Sequence, residues 1–245
     1  MRKKFVSTGS RFGDVLLVGV FAMAAAVGIL TTTLLLSFDA GSASLGDAKV
    51  EDQLLGKSQV VLGDSLAQGV GASSAKKTLS YLLYEQAQKN DSGLKLWNFG
   101  TAGAVASQVV SEQLPRLAAV QVGTVYLIIG ANDVTRQTQP ATFRQQFQEI
   151  MTAVAASGGK VTVFNIAKLS ATPAVPEQNK AAADARTKEL NAIIAQEVAK
   201  YGGVTLFDFY AFTEANLTQD SGLLAEDKFH PNDAGYQKIA DKLVE

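Results

Sequence analysis

Hydrophobic and polar positions divide the chain into two regimes. From Val15 to Phe38 the sequence runs for 24 residues without a charge. A helix of that length, at about 1.5 Å per residue, measures roughly 36 Å and is long enough to cross a hydrocarbon core of about 30 Å. Beyond residue 57 the pattern changes, and short apolar runs alternate with longer amphipathic stretches. The runs Gln59–Leu62, Leu94–Phe99, Thr124–Ile129, Lys160–Ile166 and Val204–Phe209 predict strands. Several are continuously apolar, which is the pattern of strands covered on both faces. The stretches Leu79–Lys89, Ala106–Ala119, Ala141–Ala156, Asn179–Tyr201 and Asp233–Val244 predict helices. In the fourth, Leu190, Ile193, Ile194 and Val198 share one face, and Gly202-Gly203 ends it.

Strands that alternate with helices, at intervals too long for hairpins, make right-handed βαβ units and a parallel sheet. The expected fold class is therefore α/β. Such sheets bind ligands beyond the carboxyl ends of their strands. Three segments fall at those ends: Gly63-Asp64-Ser65, Gly100 to Gly103, and Gly130-Ala131-Asn132-Asp133. A fourth, Asp227 to His230, precedes the last helix and is placed to close over the same edge.

Charge adds a direction to this picture. The chain has 245 residues, with 22 basic residues against 23 acidic ones. Residues 1–14 hold Arg2, Lys3, Lys4 and Arg11 against Asp14, so the part beyond the chargeless span is mildly acidic. That balance, with no basic stripe of interleaved aromatics, does not suit nucleic acid. Cysteine is absent, which excludes disulfides, thiolate nucleophiles and a lipidated cysteine. The basic residues before the span should stay in the cytoplasm and the rest of the chain should face outward. The expected organisation is a cytoplasmic basic segment 1–14, a transmembrane anchor or uncleaved signal 15–38, a tether 39–57 and a catalytic domain 58–245. The small residues Ala40-Gly41-Ser42-Ala43 offer a cleavage site, and a secreted form is the alternative. The span is longer than the about 7–15 residues of a signal core, which favours the anchor.

His230 is the only histidine. Serine is a poor nucleophile at neutral pH and needs a neighbouring base, itself held by a carboxylate. Ser65, on a turn after a buried strand, is the candidate nucleophile; His230 is the candidate base and Asp227 its partner. Developing negative charge on the substrate needs hydrogen-bond donors. Gly103 and Asn132 are the candidates, with Gly100 competing for the glycine's role. Each piece also has an ordinary reading, as a turn, a helix cap or an Asx-turn. One histidine and no cysteine leave only oxygen ligands for a metal, and this chemistry requires neither metal nor cofactor.

Taken together and in this order, the segments resemble those of the GDSL/SGNH hydrolase family. Val60-Val61-Leu62-Gly63-Asp64-Ser65-Leu66 is similar to the first block and Asn98-Phe99-Gly100-Thr101-Ala102-Gly103 to the second. Gly130-Ala131-Asn132-Asp133 is similar to the third, and Asp227 through Gly235 to the last. The resemblance covers residues 58–245. It implies a three-layer, flavodoxin-like α/β/α sandwich around a parallel sheet, and ester hydrolysis through an acyl-enzyme. By that likeness Ser65 is the nucleophile and, through its N–H, an oxyanion donor with Gly103 and Asn132. Asp227 and His230 complete the triad, and Asp64 is structural. One departure is Ala67, where many relatives carry Ser or Thr; none of the catalytic groups is affected.

The expected activity is that of an extracytoplasmic, membrane-tethered serine esterase or lipase. An acyl transferase acting on cell-envelope glycans and a non-catalytic binding module are the alternatives. The expected partners are a small-molecule, lipid or glycan ester and, through the N-terminal helix, the membrane. The loop Ala167–Gln178 is expected to border the pocket.

Overall fold

The computed structural model describes residues 57–217 and 221–245. The expected basic segment 1–14, the membrane span 15–38 and all but the last residue of the tether lie outside the described residues. Among the described residues, no helix is long and apolar enough to cross a membrane.

Among the described residues, five strands form one parallel sheet. They are β1 (Ser58–Gly63), β2 (Lys95–Asn98), β3 (Val122–Ile128), β4 (Lys160–Phe164) and β5 (Val204–Phe207). Their spatial order is β2-β1-β3-β4-β5. β1 is buried along its whole length because it lies between two strands and under helices on both faces. Successive side chains point to opposite faces. Val60 and Leu62 accordingly join Val125, Leu127, Val161 and Val163 in one apolar layer. Val61 joins Ile128 and Phe164 in the other.

The helices number, in chain order, α1 (Ser65–Gln68), α2 (Leu79–Gln88), α3 (Ala106–Gln108), α4 (Leu114–Leu117), α5 (Ala131–Thr135), α6 (Pro140–Ala156), α7 (Glu177–Val198), α8 (Phe209–Leu217) and α9 (Asp233–Val244). In α6, Phe143, Phe147, Ile150, Met151 and Val154 recur at helical spacing and are buried. With Leu190, Ile193, Ile194 and Val198 of α7 they cover the first face of the sheet. Leu79, Leu82 and Leu83 of α2 and Tyr236, Ile239 and Ala240 of α9 cover the second. The result is the expected α/β/α sandwich.

Three expectations change in the structure. The strand read as Lys160–Ile166 ends at Phe164. The strand read as Val204–Phe209 ends at Phe207, and Phe209 opens α8. Asp208 caps that helix: its Oδ1 accepts the Ala211 N–H at 3.0 Å, which outweighs the strand preference of the aromatic residues after it. The helix read over Ala106–Ala119 is interrupted by a π turn, Val109–Gln113, between α3 and α4.

The strand order places the site. From β1 the chain moves outward to β2 and then back across to β3, so the loops after β1 and β3 part at the sheet's carboxyl edge. Ligands bind in the crevice at such a switch point. Ser65 follows β1 and Asn132 follows β3.

Candidate active site

Ser65 opens α1 directly beyond β1. Gly63 has φ of 138°, and a Cβ there would lie 1.7 Å from the Ile128 carbonyl oxygen. Only glycine permits this turn, and the turn sends the next residues out of the sheet edge. Asp64 caps α1 by accepting the Leu66 N–H at 3.1 Å. Ser65 is half-buried.

His230 reaches the site from the segment before α9. Its Nε2 lies 2.8 Å from Ser65 Oγ and its Nδ1 lies 2.5 Å from Asp227 Oδ2. The other carboxylate oxygen of Asp227 accepts the Phe229 and His230 backbone N–H groups, both at 2.9 Å. Lys228 sits in the left-handed region, with φ of 58°, so the chain folds back and Asp227 reaches the ring three positions later. An antiparallel bridge between Leu224 and Pro231 and the Ala225 N–H to His230 carbonyl bond of 2.8 Å close this loop. Phe229 packs edge-on against the imidazole at 5.0 Å. His230 is only 6% exposed, so packing and hydrogen bonds together define its orientation.

The loop after β2 lies beside α1 and α5. Gly100 approaches α1 so closely that a Cβ would meet Gln68 N at 2.6 Å and Ala67 Cβ at 2.7 Å. Its N–H donates to Asn98 Oδ1 at 2.9 Å, so Gly100 is a packing glycine whose donor is occupied. Gly103, with φ of 79°, donates its N–H to no acceptor among the described residues. This separates the two competing glycines. Asn132 Nδ2 donates to the Ala104 carbonyl at 3.0 Å, leaving its second amide hydrogen for a ligand.

Several polar side chains that sequence patterns did not single out hold these parts in place. Gln68 Oε1 accepts the Ala102 N–H at 2.8 Å, and Asn98 Nδ2 donates to the Ala67 carbonyl at 2.7 Å. Asp133, fully buried, accepts the Ala106 N–H at 3.0 Å. Arg136 Nη2 donates to the Gly103 carbonyl at 2.8 Å. The visible signal was adjacency to the motifs, since Gln68, Asn98, Asp133 and Arg136 all lie within four residues of Ser65, Gly100 or Asn132.

Burial and hydrogen bonding drive the two carboxylates of the site apart. Burial pushes the Asp64 carboxyl up to about 7, against the Leu66 N–H and the field of His230. Burial also pushes Asp227 up, but the hydrogen bonds from the His230 ring and from the backbone N–H groups outweigh it and hold that carboxyl at about 2. Asp227 therefore stands as an anion against the imidazole, while Asp64 is a structural cap.

A cavity of about 60 Å³ adjoins Ser65 and His230. Ile129, Ile166, Leu169, Phe209 and Phe229 are among its apolar walls. Ala167, Lys168, Leu169 and Thr172 also line it, so the loop after β4 borders the pocket as its position predicted. Among the described residues, no three His, Cys, Asp or Glu side chains cluster in a way that would hold a metal ion.

Comparison with known proteins identifies the family and the fold. The model of the GDSL-like Lipase/Acylhydrolase family matches residues 61–238. No curated protein matches the chain. Among solved structures, LAE5, an alpha/beta hydrolase enzyme from the metagenome of Lake Arreo, superposes with a TM-score of 0.63 at 20% identity, covering 77% of this chain and 94% of that one. The psychrotrophic esterase EstA from Pseudoalteromonas gives 0.61 at 17% identity, covering 77% and 94%. A catalytic mutant of Axe2, an acetylxylan esterase from Geobacillus stearothermophilus, gives 0.63 at 16% identity, covering 77% and 93%. At these identities the likeness establishes the fold.

Proposed function

The chain belongs to the GDSL-like lipase/acylhydrolase family, and from that premise we propose that it hydrolyses carboxylic esters through an acyl-enzyme on Ser65. The observation that carries this reading is the continuous contact Asp227–His230–Ser65, at 2.5 and 2.8 Å, beside an apolar cavity.

Ser65 Oγ attacks the ester carbonyl carbon while His230 Nε2 takes its proton. Asp227 holds the opposite nitrogen in its protonated tautomer and stabilises the imidazolium that forms. The carbonyl oxygen gains negative charge and is met by the N–H groups of Ser65 and Gly103 and the free amide hydrogen of Asn132. One such donor is commonly worth about 2.7–4 kcal/mol in the transition state. His230 then returns the proton to the leaving alcohol. Water, activated by the same imidazole, attacks the acyl-enzyme and releases the acid.

The cavity of about 60 Å³ is small beside the roughly 300–1,000 Å³ of pockets that enclose drug-sized ligands, which favours a short acyl group. The charge-free run 15–38, preceded by basic residues, supports a catalytic domain tethered on the outer side of a membrane.

Hydrolysis of p-nitrophenyl esters from acetate to palmitate, by the full chain in mild detergent and by its Ser65→Ala variant, tests the reading. Ser65-dependent turnover, fastest on the shortest esters, is expected. A variant as active as the parent would refute the assignment of the nucleophile.

A further inference from the structure

Gln113 is 1% exposed and closes the π turn Val109–Gln113. Such turns inside helices are rare and occur frequently at functional sites. The Gln113 side-chain amide engages a single residue. Its Oε1 accepts the Gly63 N–H at 2.8 Å, and its Nε2 donates to the Gly63 carbonyl oxygen at 2.8 Å. Gly63 is the last residue of β1, two positions before Ser65.

The sheet explains why a side chain is needed there. The β1–β2 ladder ends at the pair Val61 and Asn98. Phe99 N–H still donates to the Val61 carbonyl at 2.8 Å and Thr101 N–H to the Gly63 carbonyl at 3.0 Å. In a continued parallel ladder, the Phe99 carbonyl would accept the Gly63 N–H. The chain instead turns away into the loop Gly100 to Gly103, and the Gly63 N–H loses that strand partner. Burying it unpaired would be destabilising. The Gln113 amide takes the vacant place with one acceptor and one donor, as the peptide group of a strand residue would. On the other side, β1 remains paired with β3 as far as Gly63 and Ile128. The backbone that leads into the nucleophile is thus held from both sides at a residue that is conformationally the most permissive in the turn.

We propose that Gln113 is a positioning residue for the nucleophile. By fixing the two peptide groups that flank the Gly63 Cα, it aims Ser65 Oγ at His230 and the Ser65 N–H at the developing oxyanion. This rests on the reading of Ser65 as the nucleophile. A displacement of about 1 Å at a reacting group costs about 100-fold in rate, so the amide contributes to turnover beyond its contribution to folding.

The test compares the parent with Gln113→Met and Gln113→Glu, each as the full chain in mild detergent. The readouts are kcat and KM on p-nitrophenyl acetate, the rate of Ser65 labelling by a fluorophosphonate, and the thermal melt. Gln113→Met keeps the approximate volume and removes both hydrogen bonds. The expected result is a folded protein with kcat and labelling rate about 10- to 100-fold lower and an essentially unchanged KM. The carboxyl introduced by Gln113→Glu satisfies Gly63 only when protonated, since an ionised oxygen would face the Gly63 carbonyl oxygen. The ratio of its kcat to the parent's should therefore rise as pH falls.

A folded Gln113→Met protein with parental kcat and labelling would overturn the proposal. So would a Gln113→Glu to parent ratio of kcat that is independent of pH, and this ratio decides alone if Gln113→Met does not fold. A parent without Ser65-dependent labelling would instead sink the nucleophile assignment, and this proposal with it.

Discussion

Arg136 donates from Nη2 to the Gly103 carbonyl oxygen at 2.8 Å, so the segment that presents Asn132 also holds the loop that presents Gly103. Asn132 makes a parallel contact to the Ala104 carbonyl, and Asp133 accepts the Ala106 N–H. The two residues proposed as oxyanion donors, from loops about 30 residues apart in sequence, thereby share one frame.

Replacing Arg136 by alanine should free the Gly103 carbonyl and blur the direction of the adjacent N–H. The expected outcome is a fall in kcat of about tenfold, equivalent to about 1.4 kcal/mol of transition-state stabilisation, with KM largely retained. Arg136→Lys should recover part of the loss, because an ammonium can still donate to that carbonyl. Steady-state kinetics on a short p-nitrophenyl ester reads both. Equal loss in the two variants would mean that the guanidinium acts in some other way.

Asp227→Asn leaves the shape of the loop but offers an amide to the His230 ring, which selects the wrong tautomer. A drop in kcat on the order of 10⁴-fold is expected. The carboxyl of Asp227, held at about 2 in the folded protein, lies below the ordinary aspartate value of 3.8. Its contribution to stability is therefore present above the unfolded value and is lost as pH falls through about 2. Thermal melts of the parent should drop between pH 4 and pH 2 more steeply than those of Asp227→Asn. The acid limb of activity above pH 4 should owe nothing to Asp227.

Asp64 has the opposite sign. Its folded-state value, raised from 3.8 to about 7 by burial, means that stability is fully present below the unfolded value and is lost as pH rises through about 7. Asn at this position retains an acceptor for the Leu66 N–H and cannot ionise. The melting temperature of Asp64→Asn relative to the parent should therefore climb from pH 5 to pH 8, and the difference should correspond to a few kcal/mol at most. Melts that run parallel across that range would show that Asp64 is ionised throughout it in the folded protein, as it is in the unfolded one.

Much of this architecture was legible in the chain. Continuous apolar runs at Val60–Leu62 and Val125–Ile129 can bury both faces only in a covered parallel sheet, and the amphipathic Glu177–Val198 stretch has one face to cover it with. The single histidine with an aspartate three positions before it left few ways to build a base. Phe209 misled because an aromatic residue favours a strand, whereas the Asp208 cap that starts α8 depends on where β5 stops. Gln113 was illegible for a similar reason. It sits within a stretch that reads as ordinary helix, and neither the π turn nor the neighbouring strand's departure leaves a periodic mark.

Local and periodic properties, then, were determined by the sequence alone. These are the alternation of strand and helix, the glycines that turns require, the residue types of the catalytic set and the charge-free N-terminal run. Each depends on residues close together in the chain, where backbone sterics and hydrophobic spacing act directly. Only the tertiary structure decided which glycine keeps a free N–H, that the cavity beside Ser65 is small, that burial lifts Asp64 while hydrogen bonds lower Asp227, and that Gln113 completes the edge of β1. The Gln113–Gly63 contact spans 50 positions of sequence and the Ser65–His230 contact 165, and such contacts exist only once the sheet has brought its loops to one edge.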